Sequence, residues 1–163
     1  MSDSKTLVEG ARHWASLTWL SEALFKLFGV WSVDGMDPKS APMLSSLSRC
    51  FGEHVGWWQK LLPISELLDN TTIDPRSSFV TLMVALEATD SSERLAAAVA
   101  VIDSLEVDLL TLDAGLSGIS DGPAKRVVML VRADIGYWRP KGEGSGAPGH
   151  LVRALSDVRP LTG

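Results

Sequence analysis

The chain holds a single cysteine, Cys50, in 163 residues. An internal disulfide is therefore excluded, the core has to hold the fold, and a reducing compartment, the cytoplasm, is expected. No apolar run approaches the roughly 20 residues that a membrane span needs, because charged residues interrupt every hydrophobic stretch. The opening MSDSKTLVEG has no apolar centre of the kind a secretory leader carries, so no leader is expected. Positive charge is in deficit: 15 Lys and Arg against 20 Asp and Glu give a net charge of -5. Such a chain gains nothing from counterion release at a phosphate backbone, which argues against a nucleic-acid partner. Catalytic signatures are missing as well. There is no Gly-x-Ser-x-Gly, phosphate loop or dinucleotide fingerprint, and Gly142-x-Gly144-x-Gly146 lacks the flanking strand and helix that would make it one.

What is present is hydrophobic residue at helical spacing: the apolar fraction is 45%, enough for one domain to bury a core unaided. Leu17, Leu20, Leu24, Leu27 and Trp31, widened by Trp14, Phe25 and Phe28, predict a first helix from about Lys5 to Val30. Residues 32–38 read as a turn around Asp34-Gly35 and Pro38. Met43, Leu47, Cys50, Phe51, His54, Trp58, Leu61 and Leu62 give a second helix, about Ala41 to Leu62, stopped by Pro63. A long connector through Pro75 is expected to cross the bundle. A third helix spans about Ser77 to Glu87, on Phe79, Leu82, Met83 and Leu86. The fourth follows Thr89 or Asp90 as N-cap and carries Leu95, Ala98, Ile102, Leu105, Leu109, Leu112 and Leu116. The fifth opens at Asp121-Gly122-Pro123, with Val127, Val128, Val131, Ile135 and Trp138 inward. The fold class is thus all-α: an up-down helix bundle of about five helices over residues 1–140, with one crossover connection. Residues 141–163 are expected to be a flexible Gly/Pro-rich tail.

Three segments carry a resemblance: the run Ala15 to Phe25, the run Ser48 to Trp58 with Leu61-Leu62-Pro63, and the stretch Ser120 to Pro123 continuing through Asp134 and Trp138. In order and spacing, up to about residue 143, the chain resembles a family of small, uncharacterised ferritin-like helical bundle proteins from actinobacteria. The resemblance implies a ferritin-like bundle and a setting in bacterial secondary metabolism, including antibiotic pathways that build strained nitrogen rings (aziridines). The family's second helix carries several histidines ahead of its tryptophan. Here that stretch holds Ser45, Ser46, Ser48 and Arg49, and only His54.

Ferritin-like folds invite a di-iron reading, which needs a Glu from each of two helices and Glu-x-x-His from each of two others. No Glu-x-x-His occurs in this chain; Glu9 and His13 lie in the first turns, and Glu53 and His54 are adjacent and point about 100° apart. Neither a metal nor another cofactor is expected on this ground.

Polar residues within apolar stripes are the candidates for function. Glu22 is either an i,i+4 partner of Lys26 on a solvated flank or a carboxylate at the mouth of the bundle. His54, between Phe51 and Trp58 on the core stripe, is either a satisfied core histidine or, facing an inward carboxylate, an acid–base group. Asp134, at the edge of the fifth helix's inward face, either pairs with an arginine such as Arg126 or Arg132 or takes part in chemistry. Six tryptophans furnish either a large core or an aromatic pocket where helices 1, 2 and 5 meet. On the second reading Glu22, His54 and Asp134 are catalytic, and Trp19, Trp31, Asp34, Glu53, Trp58 and Trp138 bind a small-molecule substrate. The protein is then a metal-independent enzyme, or an enzyme subunit, of secondary metabolism. The alternative is a non-catalytic helical partner or scaffold in a homo- or hetero-oligomer with another helical protein.

Overall fold

A computed structural model describes residues 2–35, 37–62, 77–141 and 146–163, with side chains from residue 10 onward. Among the described residues there are six α-helices, one 3-10 turn and no strand: α1 (Ser2–Val33), α2 (Ala41–Gln59), α3 (Ser77–Glu87), the 3-10 turn Ser91–Glu93, α4 (Arg94–Ala114), α5 (Gly122–Trp138) and α6 (Gly149–Val158). None is long and apolar enough to cross a membrane. The expected crossover, residues 63–76, lies outside the described residues.

The first two helices form an antiparallel pair. The stripe of α1 is buried through Trp14, Leu17, Leu20, Leu24, Leu27, Phe28 and Trp31, whereas Phe25 lies largely in solvent. Phe25 instead lies flat over Gly52 of α2: a Cβ at Gly52 would sit 2.9 Å from the Phe25 ring, so the absent side chain is what permits the approach. Nearby, the Ser48 hydroxyl donates to the Phe25 carbonyl at 2.7 Å. The chain reverses through Gly35, whose φ of 63° suits glycine. α2 stops three residues short of the expected Leu62. Leu61 and Leu62 donate to the Trp58 and Gln59 carbonyls, three residues back, the tightened last turn common at helix ends. Within α2, Leu44 takes the buried place expected of Met43, which is exposed.

The remaining helices complete the bundle. α3 buries Phe79, Leu82 and Leu86. Neither Thr89 nor Asp90 caps the next helix with its side chain: the Thr89 hydroxyl donates back to the Ala85 carbonyl, and a 3-10 turn intervenes. α4 buries Ala97, Ala98, Val101, Ile102, Leu105 and Leu109. It runs antiparallel to α5, tied at both ends by Lys125 to Asp113 (3.4 Å) and Arg139 to Asp103 (2.6 Å). Val128, Val131 and Ile135 of α5 are buried as expected. Trp138 is not: it is 42% exposed, at the last position of the helix.

The expectation of a flexible tail does not hold for residues 146–163. Leu151, Ala154, Leu155 and Val158 recur at i, i+3, i+4 and i+7 and are buried, so α6 presents a two-turn apolar stripe to α3 and α4. Beyond it Leu161 and Thr162 are buried too. The carboxylate of Asp108 on α4 accepts from the Arg159 guanidinium (2.7 Å) and from the Leu161 backbone N–H (2.8 Å). His13 Nδ1 lies 2.6 Å from the Thr162 carbonyl, which ties the same segment to α1. Only residues 142–145 of the expected linker lie outside the described residues.

Candidate functional site

The candidate residues fall in two places rather than one. The first is a cluster between α2 and α5. Cys50 and His54 are four apart on α2 and so share a face, and Asp134 of α5 meets both. His54 Nε2 is 2.7 Å from Asp134 Oδ2, the Cys50 thiol donates to the same oxygen at 3.1 Å, and Cys50 Sγ lies 3.5 Å from His54 Nε2. The side chain of His54 is 0% exposed and that of Asp134 is 22% exposed, so solvent reaches the cluster at the carboxylate. Asp134 thus pairs with a histidine, not with the arginine that its position on the helix suggested.

Electrostatics fixes the protonation states. Burial pushes the Cys50 thiol well above its usual range, and the hydrogen bond and charge of Asp134, with the charge of Glu53, push it further. Burial lowers the pKa of His54 and outweighs Asp134 and Glu53, which act to raise it. These shifts keep the thiol protonated and the imidazole neutral at neutral pH, and a neutral imidazole that faces the Asp134 side chain through Nε2 donates its proton there. A nucleophile triad needs the thiol and the orienting carboxylate on opposite ring nitrogens. Here both contact Nε2, and Nδ1 is buried with no hydrogen-bond partner among the described residues. The geometry does not make Cys50 a nucleophile. Accordingly, Cys50 should resist a thiol reagent in the native protein, with one thiol titrating only on denaturation; fast native labelling, followed by absorbance or mass, would contradict both its burial and its raised pKa.

The cluster does not match a di-iron centre either, since it offers one carboxylate and one histidine. It does place a thiol, an imidazole and a carboxylate, one ligand atom each, within 4.8 Å of one another.

The second place is an open groove of about 690 Å³ between α1 and α3, closed at one end by Arg94 of α4. Trp19 and Trp31 form its aromatic surfaces, Ala23, Val30, Val80 and Val84 its apolar flanks, and Glu22, Asp34 and Glu87 its carboxylates. Trp19 is stacked on Phe79 (5.8 Å, 6° between planes), which fixes its ring. The Arg94 guanidinium lies 5.5 Å from the Trp31 ring centre and bonds to Asp34 through both terminal nitrogens. Its side chain is only 13% exposed, and its Nε is buried with no hydrogen-bond partner among the described residues.

The structure thus brings Trp19, Glu22, Trp31 and Asp34 together, and separately joins His54 to Asp134. It does not bring Glu22 to either of the latter: none of Cys50, His54 and Asp134 lines the groove. Glu22 pairs with Lys26 at 3.3 Å in solvent, and Glu53 pairs with Arg49 at 3.7 Å. These two glutamates border a shallower groove between α1 and α2. Trp58 belongs to the core, stacked on Trp14 with ring centres 5.9 Å apart. Trp138 packs edge-on against Tyr137, one turn beyond Asp134 on α5, and does not line the groove. Where α1, the end of α2, α4 and α5 meet there is a cavity of about 500 Å³, lined by Trp14, Leu61, Leu112 and Pro123 among others, but none of the expected site residues lines it; Trp19, Glu22, Trp31 and Asp34 gather instead in the groove between α1 and α3.

Cys50 and Arg94 were not singled out by the sequence. For Cys50 the signal was present, an i,i+4 partner of His54 on the same stripe. For Arg94, whose partner Asp34 lies 60 residues away, there was none. Compared with protein-family models, with curated proteins and with solved structures, the chain matches none.

Proposed function

We propose that the chain binds a small, flat, aromatic cation in the groove between α1 and α3, as an enzyme or enzyme subunit of bacterial secondary metabolism. The observation that carries this reading is the groove itself: about 690 Å³, floored by two tryptophans whose rings are already held by Phe79 and Arg94. That volume is typical of small-molecule sites, and fixed aromatic walls reduce the ordering cost of binding. Three carboxylates against two cations, Lys26 and Arg94, favour a ligand bearing one positive charge. Lys26 and Arg94 are each paired within the groove, which leaves Glu87 as the carboxylate available to a guest. Glu22, at the rim, is the group placed to give or take a proton; His54 and Asp134 act elsewhere. The ferritin-like arrangement and the metabolic setting rest on the resemblance of the three sequence segments.

The test is a fluorescence titration with a planar aromatic monocation, such as N-methylquinolinium. Wild type should bind with quenching of tryptophan emission. Trp19→Leu and Glu87→Gln should each weaken binding roughly 2–5-fold, the range of an exposed cation–π contact or charge pair. Trp138→Leu should leave affinity unchanged. Equal affinity in all four proteins would sink the reading.

A second reading, a helical protein partner in the same groove, is favoured by the exposed valines Val30, Val80 and Val84 along its edges. Self-association by light scattering, lost in Val84→Glu, would select it over the small molecule.

A further inference from the structure

We infer that Cys50, His54 and Asp134 form a mononuclear site for a divalent cation of borderline softness, zinc by the chemistry of its donors. The inference is independent of the groove, which shares none of these residues. It also departs from the metal-free expectation, which weighed Glu/His pairs alone (Glu-x-x-His, Glu9 with His13, Glu53 with His54) and so left Cys50 out.

Three observations converge. First, the ligand types fit. One thiolate, one imidazole and one carboxylate form a set that zinc accepts, and three protein ligands with a fourth position left to solvent is its usual open arrangement. Second, the spacing is nearly that of a tetrahedral site. Zinc bonds of about 2.0–2.3 Å place neighbouring ligand atoms ~3.3–3.6 Å apart. Cys50 Sγ and His54 Nε2 are already 3.5 Å apart. Asp134 Oδ2 stands closer, at 3.1 Å from the sulfur and 2.7 Å from the nitrogen, since protons bridge those contacts. A retreat of Asp134 by roughly half an ångström admits the ion, and Asp134 is the member of the trio that borders solvent.

Third, the charges close. A thiolate and a carboxylate neutralise a dication, so the filled site is neutral in a buried setting where an uncompensated charge is costly. On binding, the thiol proton leaves to solvent and sulfur bonds the metal, while the imidazole keeps one proton, moved from Nε2 to Nδ1. The relocated proton sits on Nδ1, which is buried with no hydrogen-bond partner among the described residues, a cost that the metal bonds have to offset. The packing of Phe51 and Trp57 against the imidazole holds Nε2 toward the other two ligands in either state.

The experiment uses the full chain, stripped with a chelator and then titrated with zinc or cobalt(II). The expected result is one metal per chain. The cobalt form should show the intense near-ultraviolet band of a thiolate ligand and the visible absorption of a tetrahedral ion. Cys50→Ser should abolish the thiolate band. Asp134→Asn, which keeps the size and hydrogen-bonding capacity of the side chain, should weaken zinc at least ~10–100-fold, the loss that even an outer-shell partner brings. Circular dichroism checks that each variant is folded, and the wild-type titration decides by itself if one is not. No one-to-one phase in folded wild type would overturn the inference. So would a cobalt complex without a thiolate band, or zinc affinity unchanged in Asp134→Asn.

Discussion

Deleting residues 146–163 should lower the melting temperature by roughly 10–15 °C, if the shortened chain folds at all. Leu151, Leu155, Val158 and Leu161 are almost fully buried, and removing them also returns the facing surfaces of α3 and α4 to water. Each such side chain gains ~1.5–3 kcal/mol on leaving water, and ordering the segment takes back a large part. A net loss of about 3–5 kcal/mol corresponds to that fall in temperature for a chain of this size. The deletion also strands Asp108, a buried carboxylate whose partners Arg159 and Leu161 both lie in the deleted segment. Asp108→Ala alone should cost about 2–3 kcal/mol, at the low end for a buried pair because Arg159 keeps access to solvent. Differential scanning calorimetry on both variants measures this. A melting temperature within a degree or two of wild type would mean that the segment does not sit on the bundle in solution.

Trp58→Ala should cost about 3–5 kcal/mol, the usual range for emptying a core aromatic. The residue is 1% exposed, and Trp14 stacks on it with 8° between the ring planes, so the variant also loses an aromatic pair. Trp58→Phe should cost less and leave the groove's affinity for a planar cation unchanged, because Trp58 does not line that groove. Urea unfolding paired with the fluorescence titration separates the two effects. Lost affinity with stability intact would return Trp58 to the ligand site.

The first prediction reverses what the sequence suggested, and the second selects the core over the pocket for Trp58; the reasons differ. The stripe of α6 was legible as Leu151, Ala154, Leu155 and Val158, but the Gly- and Pro-rich stretch before it outweighed four apolar positions in a segment of two to three turns. The surface that receives α6 belongs to α3 and α4 and has no local signature. Helix boundaries set by turn chemistry were readable: α3 runs from Ser77 to Glu87 and α2 begins at Ala41, as the spacing predicted. Face assignments failed where a neighbour decided them. Phe25 lies outside because Gly52 gives it a seat on α2's surface, and Trp138, the last residue of α5, is partly in solvent. His54 and Asp134 were each conspicuous as polar residues at apolar positions. Their contact spans 80 residues of sequence and became visible only when α2 met α5. Cys50 was passed over because a cysteine on an apolar stripe counts as one more small hydrophobe.

The tie between His13 and Thr162 joins positions 149 residues apart, and the clamp of Arg159 on Asp108 spans another 51. The α1–α2 and α4–α5 pairs, by contrast, are hairpins whose helices follow each other in sequence. Local pairs close cheaply, while distant ones bear a loop-closure cost that grows with the logarithm of the intervening length. The terminal segment is therefore expected to dock after the hairpins have formed, as a late latch whose variants change the unfolding rate and not the folding rate in stopped-flow kinetics. Stabilising it prolongs the life of the native state through slower unfolding and leaves the folding rate nearly untouched.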